Sequence, residues 1–318
     1  MSQNEAPPRA TLLDYLRLMR ISNVFTAVAD VAMGILVVHA WLEPAGALAL
    51  LVAASCLLYT SGMVLNDVFD VQIDRVQRPQ RPIPSGRIPL ATARRLGWTL
   101  LVAGVLCGWF AGYAVGGWRS GAVATALAAC VVLYDGFLKR TPLGPIGMGA
   151  CRLLNVLLGM SAAAPFAGWN LAGFGPHHLT IAAGIGIYIA GVTWLARTEA
   201  RRSHRWQLAS AAAVMMGGIG TLGLTHRMIL DFEPMRLSLD EPLWWLLLAM
   251  LAVTIVRRCA MAIADPEPQQ VQWAVRHALW SLIMLDAALV LLVRGVYAVA
   301  IVALLIPTLI LGKWVAST

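Results

Sequence analysis

The chain has 318 residues, 59% of them hydrophobic and 13% charged, with a formal net charge of +8. A mean hydropathy of +0.73, with about half the roughly 25% charged residues of soluble domains, excludes a water-soluble globule. The positive excess reads as a topology and anionic-lipid signal. No basic run is interleaved with aromatics as single-strand binders require, so no nucleic-acid partner is expected.

The first twenty residues, MSQNEAPPRATLLDYLRLMR, are polar and lack a signal-peptide cleavage pattern. Apolar stretches follow near 22–41, 45–65, 92–113, 119–137, 143–164, 178–196, 206–225, 241–262, 272–293 and 296–316. Each is close to the ~20 residues that a spanning helix needs. The last two touch at Arg294–Gly295 and could form a re-entrant pair. The expected fold class is therefore all-α integral membrane, one domain over 1–318 with nine or ten transmembrane helices in the lipid bilayer.

With the N-terminal arm inside, nineteen of the 24 Lys and Arg fall on the cytoplasmic face. Arg119, Arg227, Arg236 and Arg294 lie outside and Arg152 lies within a span, an asymmetry that satisfies the positive-inside rule. The expectation is a multi-pass protein with a cytoplasmic N-terminus, in a bacterial inner (plasma) membrane. Tryptophans such as Trp118, Trp169 and the Trp244–Trp245 pair suit interfacial belts. The five cysteines (Cys56, Cys107, Cys130, Cys151, Cys259) show no pair spacing and read as small hydrophobes. Gly144, Gly147, Gly149 and Gly159 suit close helix packing rather than a phosphate loop.

The longest polar run, NDVFDVQIDRVQRPQRPIPSGR at 66–87, follows the second span. Asn66, Asp67, Asp70 and Asp74 fall three or four residues apart and share one face of a helix. Three carboxylates so placed repel one another unless a cation sits among them, and hard oxygen donors suit Mg²⁺, which bridges to phosphates. Arg75, Arg78, Arg81 and Arg87 supply fork-shaped donors for phosphate oxygens. Pro79, Pro82, Pro84 and Ser85–Gly86 rule out regular helix further on. A juxtamembrane acidic turn paired with arginines is the bland alternative. Cation-plus-arginine chemistry beside oily helices points to a lipid diphosphate.

Two further loops emerge on the same face, YDGFLKRTP at 134–142 and ARTEARRSHR at 196–205. Within spans lie Asp30, Arg152 beside Asn155, and Asp286. Charges there face a bundle interior or a wet cavity. A neutralising pair, with Arg152 serving either aspartate, stands against an acceptor pocket with polar teeth, which would take a polyhydroxylated acceptor. His177–His178 lie on the opposite side, and His204 lacks partners at ligand spacing.

The pattern NDxxDxxxDRxxxPxRPxPSG resembles the first aspartate-rich motif of the UbiA superfamily of intramembrane prenyltransferases. Its long form is most similar to the branch holding chlorophyll synthases, archaeal geranylgeranylglyceryl-phosphate geranylgeranyltransferases and the Ebo-cluster (EboC-like) proteins. The resemblance implies a UbiA-like bundle and Mg²⁺-dependent transfer of a prenyl group from an isoprenyl diphosphate, such as geranylgeranyl diphosphate, to a small polar or aromatic acceptor. Asp67, Asp70 and Asp74 would hold Mg²⁺, with Asn66 assisting. Arg78, Arg81, Tyr134, Lys139 and Arg140 would meet the diphosphate, and Asn23 matches a polar position beside it. For Lys139 and Arg140, snorkelling at a helix end is the alternative.

The match fails at the second motif. Relatives carry DxxxD after span six, whereas Glu199 is the only acid here, among Arg197, Arg201 and Arg202. Guanidinium groups in place of the second metal, a lost metal site, and a simple topology cluster all remain open. A non-enzymatic lipid-phosphate-binding scaffold in an export or modification pathway is therefore the alternative function. A transporter would need paired broken helices, and none are found.

Overall fold

The computed structural model describes residues 10–39, 44–232 and 236–314. The arm up to Arg9, the last two residues of the first apolar stretch (40–41) and the last two of the tenth (315–316) lie outside them. The described residues form helices α1 (Leu12–Leu18), α2 (Val24–Val38), α3 (Ala45–Phe69), α4 (Val71–Gln77), α5 (Leu90–Ala114), α6 (Arg119–Gly136) and α7 (Gly144–Met160). They continue with α8 (Pro176–Ala196), α9 (Arg205–Gly223), α10 (Thr225–Phe232), α11 (Glu241–Ala264), α12 (Pro268–Arg294), α13 (Ala298–Ala303) and α14 (Leu305–Trp314). Seven helical stretches among them are long and apolar enough to cross a membrane. The last runs from Pro268 to Gly312 through the turn at Gly295, where φ is +52°.

Local signals set the helix starts. Thr11 and Asp14 cap α1 reciprocally, and Asp240 accepts from the Leu243 amide at the start of α11. Helix α3 outruns its expected end at 65 and reaches Phe69. Asn66 and Asp67 stay helical because cations from other segments neutralise the polar turn. Asp70 then interrupts the helix (φ −93°, ψ 3°), and α4 follows at once carrying Asp74.

Sequence neighbours pack along much of the chain (α3 on α5, α5 on α6, α6 on α7, α7 on α8, α8 on α9), while α2 bridges α3, α7 and α12. Lipid tails are as apolar as leucine, so tight backbone approach and interhelical hydrogen bonds must hold such a bundle. Both are present between α2 and α7. A Cβ on Gly34 would lie 2.6 Å from the Val156 carbonyl, and one on Gly159 would lie 2.2 Å from the Val31 carbonyl. Beside that contact, Arg152 Nη1 donates to Asp30 Oδ2 (2.8 Å) and Nη2 to Thr26 (2.8 Å). Asn155 donates to Ala27 O (2.9 Å) and Asp30 (3.1 Å) and accepts from Ser55 of α3 (2.7 Å).

The neutralising-pair reading of Arg152 and Asp30 therefore holds. Asp286 of α12 is the carboxylate neighbour of Asp30, and both are fully buried. Trp244 corrects the interfacial-belt expectation. It is fully buried, with its indole N–H directed at the Leu222 and Gly223 carbonyls, whereas Trp118, Trp169 and Trp245 are exposed.

Candidate active site

The three motif loops meet at one end of the bundle, together with α1 and the 265–267 connection. A small apolar cluster of Leu18, Val64, Val68, Val71, Ile83, Ile88 and Ala93 anchors the 78–89 turn onto the end of α3. Gly86 takes φ +77°, which an L side chain resists. That turn carries Arg81 inward, where Nη1 donates to Asp67 Oδ1 (3.2 Å) and Asp74 Oδ2 (2.8 Å).

Asp70 points the other way. It accepts from Lys139 Nζ (2.7 Å) and Arg140 Nη2 (3.2 Å), and Lys139 also reaches Asn66 Oδ1 (2.9 Å). The structure thus brings together Asn66, Asp67, Asp70, Asp74, Arg81, Lys139 and Arg140. Asp67 and Asp74 are almost fully buried, as is the Lys139 side chain, while Arg140 is half exposed.

Sequence reasoning missed Arg20, whose Nη2 lies 3.3 Å from Asp67 Oδ1. Its backbone is left-handed (φ 45°, ψ 48°), rare for a non-glycine residue and a form of strain that gathers at functional sites. The only sequence signal was a basic pair, Arg17 and Arg20, just before the first span, read simply as positive-inside charge.

Several expected contacts go elsewhere. Arg75 is exposed and bonds Gln72. Arg87 turns away to Asp14 (2.5 Å), Ser85 (3.0 Å) and the Gln80 carbonyl, tying α1 to the loop instead of presenting its fork to phosphate. Burial works against ionisation of Asp14, yet the Thr11 hydrogen bonds and then Arg87 outweigh it and hold its carboxyl below the ordinary range. Arg197 spends its guanidinium on the Thr141 carbonyl (2.5 Å) and the Pro142 carbonyl (3.5 Å), stapling two loops. The Asn23 carbonyl accepts from Thr26 (2.8 Å), and no hydrogen bond joins its side chain to the aspartates.

Glu199 is part-buried. Burial raises its pKa, opposed by Arg78, Arg20 and Arg276, which places those three arginines around the degenerate second motif. Its backbone carbonyl accepts from Gln272 (3.3 Å), pinning the loop to α12.

Below this charged cap lies a narrow cavity of about 60 Å³, well under the roughly 300–1,000 Å³ of a ligand pocket, so a lipid substrate would have to widen it on entry. Leu58, Met63, Leu127, Val131 and Met148 form its apolar walls. Ser55, Tyr59, Tyr134, Asp135, Arg152 and Asn155 supply polar atoms. Asp30 and Asp286 stand behind Arg152 and do not line it, so direct acceptor contact by Asp30 is not what this geometry offers. Cys130 and Cys151, read as unrelated from spacing, are neighbouring free thiols with Sγ atoms 3.4 Å apart.

The donor set fits Mg²⁺ in kind, since three carboxylates and a carboxamide oxygen are hard ligands. Their directions differ from the expected single face. Among the described residues, no three acidic, histidine or cysteine side chains converge as a ready metal-binding group. Arg81 occupies the space between Asp67 and Asp74, and the Asp70 break turns that carboxylate toward Lys139.

The UbiA prenyltransferase family pattern matches residues 24–269, so the chain belongs to that family. A curated relative, digeranylgeranylglyceryl phosphate synthase of Ignicoccus hospitalis, is 36% identical over 155 residues, covering 48% of this chain and 48% of that protein. The chain thus spans about half the length of the curated relatives it matches. Two solved structures share the fold. One is described as giving insights into digeranylgeranylglyceryl phosphate synthase in membranes (TM-score 0.62, 18% identity, 87% of this chain and 96% of that one). The other is a UbiA homolog from Archaeoglobus fulgidus bound to GPP and Mg²⁺ (TM-score 0.60, 14% identity, 91% and 99%).

Proposed function

We propose that this protein transfers a prenyl group from an isoprenyl diphosphate to a hydroxyl of a glyceryl-phosphate lipid, within a bundle of nine or ten crossings whose motif end faces the cytoplasm. The observation that carries the reading is the pairing of an acid cap with Arg20, Arg81, Lys139 and Arg140 at the mouth of an apolar cavity. Family membership and the names of the archaeal relatives support it. Those names favour a glyceryl phosphate among the small polar or aromatic acceptors that the motif implies. The Ebo-cluster placement rests on motif form alone, and these relatives do not support it.

Asp67, Asp70 and Asp74, with Asn66, would hold Mg²⁺, which supplies charge neutralisation on the departing diphosphate. Arg81 gives up its bridge between Asp67 and Asp74 and turns its fork to phosphate oxygens, while Lys139 and Arg140 do the same from the Asp70 side. Arg20 adds a fourth cation at the mouth. Arg78 beside Glu199 presents positive charge where relatives carry the second aspartate motif. Tyr134 lines the entrance, and the leucine, valine and methionine walls exclude water from the allylic carbon.

One observation favours a second reading, a lipid-phosphate-binding scaffold. Every motif aspartate is already held by a cation, and no three-acid group converges among the described residues. Purified full-length protein given Mg²⁺, geranylgeranyl diphosphate and geranylgeranylglyceryl phosphate separates the two. The transferase reading expects a new ether and released diphosphate, both lost with EDTA and in Asp70→Ala. Lipid-diphosphate binding that survives Asp70→Ala without any ether product refutes it.

A further inference from the structure

We infer that Asp135 is the residue that receives the proton of the acceptor hydroxyl, an inference that rests on the transferase reading above. Asp135 sits near the end of α6 and is 3% exposed, yet it lines the central cavity. Of the buried acids at this end of the bundle among the described residues, it is the one without an ion pair; the part-buried Glu199 also has none. Asp67 and Asp74 are bridged by Arg81, Asp70 is taken by Lys139 and Arg140, and Asp14 is bound by Arg87. No donor or cation among the described residues comes within hydrogen-bond or ion-pair distance of the Asp135 carboxylate. The charges around it, Lys139, Asp70, Arg20 and Asp67, belong to the proposed diphosphate cap. It therefore faces the cavity from directly beneath the place where the donor head would sit.

Buried polar groups are almost always hydrogen-bonded, so a carboxylate left without a partner on a cavity wall is the signature of a ligand contact. The space before it is kept open by Gly62 of α3, where even a Cβ would approach Asp135 Oδ2 to 3.8 Å and the Val131 side chain to 3.0 Å. Deeper in the same cavity, Ser55, Tyr59, Asn155 and Arg152 supply polar contacts for the rest of a glyceryl head, while Leu58, Leu127 and Met148 suit a chain.

The step balances as follows. The acceptor oxygen forms a bond to C1 of the allylic chain as the bond from C1 to the diphosphate oxygen breaks, and the electron pair leaves with diphosphate. The hydroxyl proton passes to an Asp135 oxygen and from there to water at the mouth when the products leave, restoring the carboxylate. Asparagine at this position keeps size and hydrogen bonding but cannot take the proton.

The test uses the full chain in nanodiscs with Mg²⁺, geranylgeranyl diphosphate and geranylgeranylglyceryl phosphate, and a non-reacting geranylgeranyl S-thiolodiphosphate as binding probe. Asp135→Asn is expected to lower the transfer rate by about a hundredfold or more, while affinity for the probe stays within about threefold. Asp135→Glu is expected to regain at least about tenfold over the asparagine variant. Asp135→Ser, smaller and equally unable to act as a base, replaces Asp135→Asn if that variant does not fold. Transfer within tenfold of wild type in either neutral variant overturns the inference, as does loss of probe affinity in step with the rate. If wild type itself forms no ether, the transferase reading fails and this inference falls with it. A fast neutral variant beside an active wild type sinks the inference alone.

Discussion

Replacing Arg152 by methionine tests how the bundle tolerates charge in its interior. Arg152 donates to Asp30 and Thr26, both at 2.8 Å, and Asp30 is wholly buried. If only the two interhelical hydrogen bonds mattered, at about 0.6 kcal/mol each in a bilayer, their loss would cost about 1 kcal/mol. Removing one partner of a buried ion pair instead leaves a stranded charge, at about 3–5 kcal/mol. The second effect wins here, because Asn155 alone remains to serve Asp30, and Asp286 beside it brings another carboxylate whose oxygens have no donor among the described residues.

Arg152→Met should therefore lose about 3–5 kcal/mol, whereas Arg152→Met/Asp30→Asn should lose only about 1–2, since the stranded charge goes with its partner. The double mutant should thus be about 2–3 kcal/mol more stable than Arg152→Met alone, a gap larger than the usual error of additivity. Equilibrium unfolding in mixed detergent micelles, run as a double-mutant cycle, reads it directly. A double mutant no more stable than the arginine single mutant would refute the reasoning.

Lys139→Met should raise the KM for the isoprenyl diphosphate about 10- to 150-fold, the equivalent of one charge-assisted bond of about 1.5–3 kcal/mol. The acceptor KM should hold, and steady-state kinetics with each substrate varied in turn separates the two. Gly159→Ala should destabilise by about 1–3 kcal/mol through overpacking, because its Cβ would meet the Val31 carbonyl. Gly220→Ala, with no atom within 4 Å of its Cβ, is the neutral control in the same thermal-shift assay. Glu199 carries a folded-state pKa raised chiefly by burial, so its ionisation costs the folded state. That cost is absent below the ordinary glutamate pKa of about 4.3 and grows as pH rises through the folded value. Wild type should accordingly lose stability relative to Glu199→Gln between pH 4 and pH 7, and a gap constant across that range would contradict the shift.

Much of this was legible in the sequence because it is local. The helices follow from apolar length, and the acid cap from four polar residues at helical spacing. The pairing of Asp30 with Arg152, 122 positions apart, was open to reasoning because charges inside spans must find one another. The rest depends on where chain segments travel. Whether Arg81 or Arg87 turns inward is decided by the proline turn and the apolar cluster beneath it. Arg20 reaches Asp67 only through a left-handed residue that no composition signals. Helices that are apolar on every side carry no marker of which face is buried. That is why Trp244 was misplaced at an interface and the Cys130–Cys151 contact went unseen. Nothing in the spacing around Asp135 signals that α6 turns it into the cavity.

The central claim is that the acid cap, through a divalent cation, holds the head of an isoprenyl diphosphate. Its most direct test is the affinity of the full chain for geranylgeranyl S-thiolodiphosphate with Mg²⁺ and with EDTA, in wild type and in Asp67→Asn/Asp70→Asn/Asp74→Asn. The account predicts tight binding by wild type with Mg²⁺ and at least about a hundredfold loss, some 2.7 kcal/mol, on removing either the metal or the carboxylates. Equal affinity in all four conditions would contradict it.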